Sequence, residues 1–255
     1  MTRGVGGGKG FARPAQGGSP PISTRLRAAV IGCALAFAAA AYMDFVFAPE
    51  DSLQGPVQRI FYLHVSSAIA AYACFALVLI GGILYLRRED PRPDRLARAA
   101  APVGLLFTSV TFVMGMIWAK PIWNWDPSKT WDARLSSTAV LWAVYAGYIL
   151  VRRFAPPGRT AARLAAVVGI VGFVDVPVVH FSVLWWRTLH PQPVIETGAL
   201  PASMLAAWLV TLLAVLLLTG TLVATRYVTE RNRELAEARR DRHELVRLES
   251  AAEVP

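Results

Sequence analysis

Cysteine is nearly missing from this 255-residue chain: Cys33 and Cys74 each lie alone inside an apolar run, with no CxxC or CxxCH anywhere. That excludes a disulfide framework, a thiol relay and a thioether-anchored cofactor. Charge is scarce as well, at 17% of residues. There is no G-x-S-x-G, no phosphate-binding P-loop, no HExxH and no carboxylate pair, so hydrolytic and ATP-driven chemistry have no residues to work with. The chain is not expected to be an enzyme. What is abundant is apolar sequence, 55% of the residues, with a mean hydropathy of +0.44. A soluble core of this length needs far less. The formal charge of +9 would suit nucleic acid if it covered a polar face, but the basic residues punctuate the ends of apolar runs. The expected partner of that charge is membrane lipid, not nucleic acid.

Six apolar runs stand out, roughly Ala28–Ala48, Ile60–Leu86, Ala99–Ala119, Leu135–Val151, Leu164–Leu184 and Ala202–Ala224. Each is long enough to span a bilayer and must be helical there, because hydrocarbon leaves no partner for an open backbone amide. The fold class is therefore an all-α integral membrane protein, a bundle of about six transmembrane helices. Arginine and lysine set its orientation. The N-terminal tail, the second and fourth connections and the C-terminal tail hold 21 of them, and the opposite side holds five. The first side is cytoplasmic by the positive-inside rule, so both termini are inside. The organisation reads as a disordered tail over 1–23, a membrane domain over 24–226 and a charged cytoplasmic helix over 227–255. No A-x-A site follows the first run, which is expected to be a retained helix.

The outer side is unusual. Trp118, Trp123, Trp125, Trp131, Trp185 and Trp186 fall on or near it, as do His64, His180 and His190. The third connection, about 118–137, reads WAKPIWNWDPSKTWDARLSS. An interfacial belt would share its tryptophans between both faces; this one-sided cluster reads as a flat aromatic platform. His64 begins the second helix and His190 follows the fifth, flanking that loop. Two neutral imidazoles on separate elements, across an aromatic surface, are what bis-axial ligation of haem iron requires. His180 is ten residues before His190, about 15 Å deeper if helical. It reads first as a packed histidine and second as a third candidate ligand. Lys120, Arg134 and Arg187 are either snorkelling cations or partners for haem's two carboxylates. Asp132 either orients Arg134 or caps the fourth helix.

The strings YLHVSSA, WAKP…WDARLSS and VPVVHFSVLWWRTLHP, in this order on a six-helix plan, resemble the WWD-domain haem-handling family of cytochrome c maturation protein C (CcmC, haem exporter protein C). The likeness spans about residues 45–225. It implies a role in System I cytochrome c biogenesis in the cytoplasmic (inner) membrane. Haem b would be held at the outer face between His64 and His190, against a platform of Trp118, Trp123, Trp125, Trp131 and Asp132, with Arg134 toward its carboxylates. It also implies delivery to the haem chaperone CcmE, alongside the ABC transporter subunits CcmA and CcmB and the small membrane protein CcmD. The family's loop usually reads WGxWWxWD. Here the adjacent Trp pair is missing and the loop is about two residues longer. Two alternatives stay open: a System II haem lyase component, which shares the loop and the paired histidines, and the membrane subunit of a small-molecule ABC exporter.

Overall fold

The computed structural model describes residues 24–126, 131–155, 158–186, 190, 195 and 198–252; the N-terminal tail, Lys129 and Arg187 lie outside that set. Among the described residues, six helical segments are long and apolar enough to cross a membrane. They comprise α1 (Thr24–Tyr42), α2 (Ile60–Arg88), α3 (Pro91–Trp123), α4 (Ala133–Phe154), the pair α5 (Arg159–Phe173) and α6 (Asp175–Trp185), and α7 (Ala202–Ala252). The central helix is α2, packed against α3, α5 and α7, while α4 packs on α3, α5 and α6 and α1 lies along α7.

Small residues let these helices approach closely, as packing in a membrane requires. A Cβ added at Gly81 would stand 2.6 Å from the Pro93 carbonyl oxygen of α3, and one at Gly104 would stand 2.5 Å from the Phe75 ring of α2. Phe75 in turn stacks on Tyr145 of α4, with ring centroids 3.5 Å apart. The α2–α3 corner is two residues long. Glu89 closes α2 in the left-handed conformation (φ 52°) and Asp90 caps α3 by accepting from the Arg92 amide.

Three boundaries differ from those expected. The fifth run is two helices in line, because Pro177 has no N–H to offer the Phe173 carbonyl and its ring crowds that turn. The chain steps through Val174, whose amide bonds the Val171 carbonyl instead. The third helix begins at Pro91 instead of Ala99 and runs on through Trp118 to Trp123, ending where Asn124 turns left-handed (φ 47°). Much of the expected Trp-rich loop is thus helix. The last span continues without a break into the charged segment as one helix of 51 residues. No proline or glycine interrupts it after Gly220.

The bundle has two chemically different ends. At one, ion pairs tie helices together: Arg95 and Arg98 of α3 hold Glu234 of α7, Arg98 also reaches Glu230 at 3.6 Å, and Arg152 of α4 holds Asp94. Arg163 and Arg159 of α5 clamp Glu89 at the α2–α3 corner. The Arg163 hydrogen bond, with help from Arg159, holds the Glu89 carboxyl below its ordinary range. At the other end are His64, His180, His190 and most of the tryptophans.

Candidate functional site

A cavity of about 410 Å³ opens at the aromatic end, within the usual size of small-molecule sites. Its wall carries His64, His180 and His190, the tryptophans Trp118, Trp123 and Trp125, and the polar pair Asp132 and Arg134. Elements far apart in sequence supply these groups: the second turn of α2, the end of α3, the start of α4 and the segment after α6. The remainder of the lining is mainly apolar, including Phe61, Ile69, Phe112, Met116 and Met204.

His64 and His190 face one another with ring centroids 6.4 Å apart and planes 31° from parallel. His64 is fixed from two sides. Its Nδ1 lies 3.0 Å from the backbone carbonyl oxygen of Thr111 on α3. Its Cε1 would stand 3.0 Å from a Cβ at Gly115, so a glycine one turn further along α3 makes room for the ring. Trp118 meets the His64 ring edge-on at 5.8 Å and Phe61 edge-on at 6.2 Å, and its indole N–H donates to the Gln54 side-chain oxygen at 2.8 Å. His190 is met by Arg134, whose Nη1 lies 3.3 Å from its Nδ1.

The aromatic surface is not a flat outer plate. Trp118 is 4% exposed, a wall of the core. Trp123 tilts against it at 6.1 Å, and Trp125 is buried just past the end of α3. Trp131 stands outside that wall, 55% exposed and tilted against Phe112 at 6.5 Å. Helical geometry explains the difference: α3 carries Trp118 to Trp123 into the bundle mouth, Trp125 follows directly after the left-handed turn at Asn124, and Trp131 comes only just before α4 begins at Ala133. Asp132 caps α4 by accepting from the Leu135 amide at 2.8 Å, and its side chain also borders the cavity. Lys120 is exposed and is not part of the lining. His180 lies deeper, its ring edge-on to Tyr72 at 6.4 Å and packed on Phe181 at 4.8 Å.

Sequence reading had no means to find Thr111, Gly115, Gln54 or Tyr72, which act here through a backbone carbonyl, a missing side chain and neighbours on other segments. A lone glycine in the apolar string FVMGMIW was the one available signal.

The family profile described as CcmC, Heme exporter protein C, matches residues 11–244. The chain belongs to the CcmC family. Among its relatives, Heme exporter protein C of Bradyrhizobium diazoefficiens is 37% identical over 180 residues, covering 69% of this chain and 67% of that protein. Heme exporter protein C of Escherichia coli K12 is 34% identical over 184 residues, covering 71% and 74%. A putative cytochrome c biosynthesis ccmC-like mitochondrial protein of Marchantia polymorpha is 33% identical over 192 residues, covering 74% and 80%. In this CcmC-family chain the paired histidines, the buried tryptophan wall and Arg134 lie within the residues that the family profile matches.

Proposed function

We propose that this protein is a haem-handling subunit of cytochrome c maturation, holding haem b between His64 and His190 for transfer and catalysing no reaction of its own. One observation carries the reading: two imidazoles from separate elements meet across one aromatic-walled cavity, 6.4 Å between ring centroids. With metal–imidazole bonds of about 2 Å, two rings on opposite sides of one metal have centroids about 6 Å apart. The donor set suits haem in its other parts too. Tryptophan and aliphatic walls match the apolar macrocycle, and Arg134 offers a bidentate donor to its carboxylates.

The names of the relatives support the same cargo and the same pathway. In this reading the basic end is cytoplasmic, the haem site faces outward from the cytoplasmic membrane, and haem passes to the chaperone CcmE. CcmA, CcmB and CcmD would be the membrane partners. His180, a turn or more deeper and wedged between Tyr72 and Phe181, has a packing role.

The test is an absorption spectrum of purified protein with haem bound. Two imidazoles give a low-spin, six-coordinate spectrum. His64→Ala or His190→Ala should leave a five-coordinate or weakly held haem, the double variant should be nearly empty, and added imidazole should partly restore each single variant. His180→Ala should keep the low-spin spectrum. A double variant with the wild-type spectrum, or loss of ligation in His180→Ala alone, would overturn the assignment.

A further inference from the structure

The two imidazoles are not held alike, and the difference follows from what each partner is able to donate. A backbone carbonyl only accepts, so the 3.0 Å contact of His64 Nδ1 with the Thr111 oxygen requires a proton on Nδ1. The neutral His64 ring therefore presents an open lone pair at Nε2. A guanidinium only donates, so the 3.3 Å contact of Arg134 with His190 requires Nδ1 of that ring to accept. The neutral His190 ring then carries its proton on Nε2, where no lone pair is left for a metal. One ligand is ready and its partner is masked.

We infer that Arg134 is a latch on His190: iron is taken first by His64, and His190 joins only when the guanidinium leaves its Nδ1. This rests on the ligand pair proposed above. Arg134 borders the same cavity as both histidines, so a carboxylate on a ligand held between them has a guanidinium on the same wall. A carboxylate is a better partner for guanidinium than a neutral imidazole nitrogen, offering two parallel charge-assisted hydrogen bonds. The exchange balances without outside reagents. The Arg134–Nδ1 hydrogen bond breaks and a guanidinium–carboxylate pair forms. The His190 ring proton passes from Nε2 to Nδ1 through water, and the Nε2 lone pair bonds the iron. No proton is gained or lost overall and no electron moves. Specificity follows: the cargo must carry free carboxylates, because these open the second ligand. Arg134 acts here twice, on the cargo's carboxylate directly and on the second ligand through His190.

Two measurements test the latch. The first uses metal-free protein labelled with ¹⁵N at histidine, whose ring shifts report which nitrogen is protonated. His64 should carry its proton on Nδ1 and His190 on Nε2, and Arg134→Met should shift the His190 preference toward Nδ1 while leaving His64 unchanged. His190 protonated at Nδ1 in the wild type would overturn the inference without touching the haem-binding reading. The second compares haem with haem dimethyl ester, whose carboxylates are blocked. Wild-type protein should become six-coordinate with haem but stall as a five-coordinate, high-spin complex with the ester. In Arg134→Met the ester should reach six coordination, and with haem the second ligation step should quicken by roughly tenfold or more, the factor one charge-assisted hydrogen bond carries. A wild-type protein that becomes six-coordinate with the ester as readily as with haem refutes the latch. A wild-type protein that binds neither porphyrin refutes the proposed function instead, and the ¹⁵N result is then read alone.

Discussion

At the scale of single residues, two glycines of α3 do different work, and substitution separates them. Gly104 faces Phe75, a fully buried ring already stacked on Tyr145, and an added methyl would stand 2.5 Å from it. Neither ring has room to retreat, so Gly104→Ala should cost about 1–3 kcal/mol of stability through overpacking, read as a lower unfolding midpoint. Gly115 faces the imidazole of His64 at 3.0 Å, and that half-buried ring is able to shift by a few tenths of an ångström. The shift loosens its bond to the Thr111 carbonyl. Gly115→Ala should therefore lower its unfolding midpoint less than Gly104→Ala, because the helix gain of replacing glycine offsets the loosened bond, but hold haem roughly tenfold more weakly, the factor one hydrogen bond of about 1.4 kcal/mol carries. Haem titration and thermal unfolding of both variants check the pair; a Gly115→Ala protein that binds haem like the wild type would show that the Thr111 bond does not prepare His64.

At the scale of elements, the charged end of α7 divides into a part that holds the bundle and a part that does not. Sequence alone marks 227–255 as a charged, solvated helix, remote from the aromatic end. The structure carries the bundle about two turns into that segment, because Arg95 and Arg98 hold Tyr227, Glu230 and Glu234. Beyond Glu234, Leu235, Leu245, Val246 and Leu248 are exposed. Truncation after Glu237 should thus leave fold and haem spectrum intact. Glu234→Ala should loosen α3 from α7 at a cost of about 1–2 kcal/mol, between the values for exposed and buried pairs. Chemical unfolding of the two proteins makes the comparison, and an unstable 1–237 protein would mean that the distal helix packs on something described by neither contact nor charge here.

At the scale of the whole molecule, the two ends are expected on opposite sides of the membrane, the basic end inside. Ser52, exposed between α1 and α2, shares the end of His64, whereas Arg240 belongs to the basic end. In intact cells an impermeant thiol reagent should label Ser52→Cys and should reach Arg240→Cys only after lysis. The native Cys33 and Cys74 are buried and add little background. Labelling of Arg240→Cys from outside would reverse the orientation and place the haem site in the cytoplasm.

What the sequence determined by itself is everything that depends on solvent and composition. Six apolar stretches of bilayer length have to be helices because hydrocarbon satisfies no backbone amide. The crowding of His64, His190 and the WDAR string at matching ends of separate stretches was also legible, since length alternates the ends of successive spans. Pairings across the bundle were not legible, because they depend on how helices rotate and how far they extend. Tertiary structure alone decided that Trp118 is wall and not platform, that Pro177 splits the fifth span, and that Glu234 belongs to the bundle. It also decided that one histidine meets a carbonyl while its partner meets a guanidinium. Periodicity tells which face of a helix is apolar; only the packed neighbour tells which atom that face finds there.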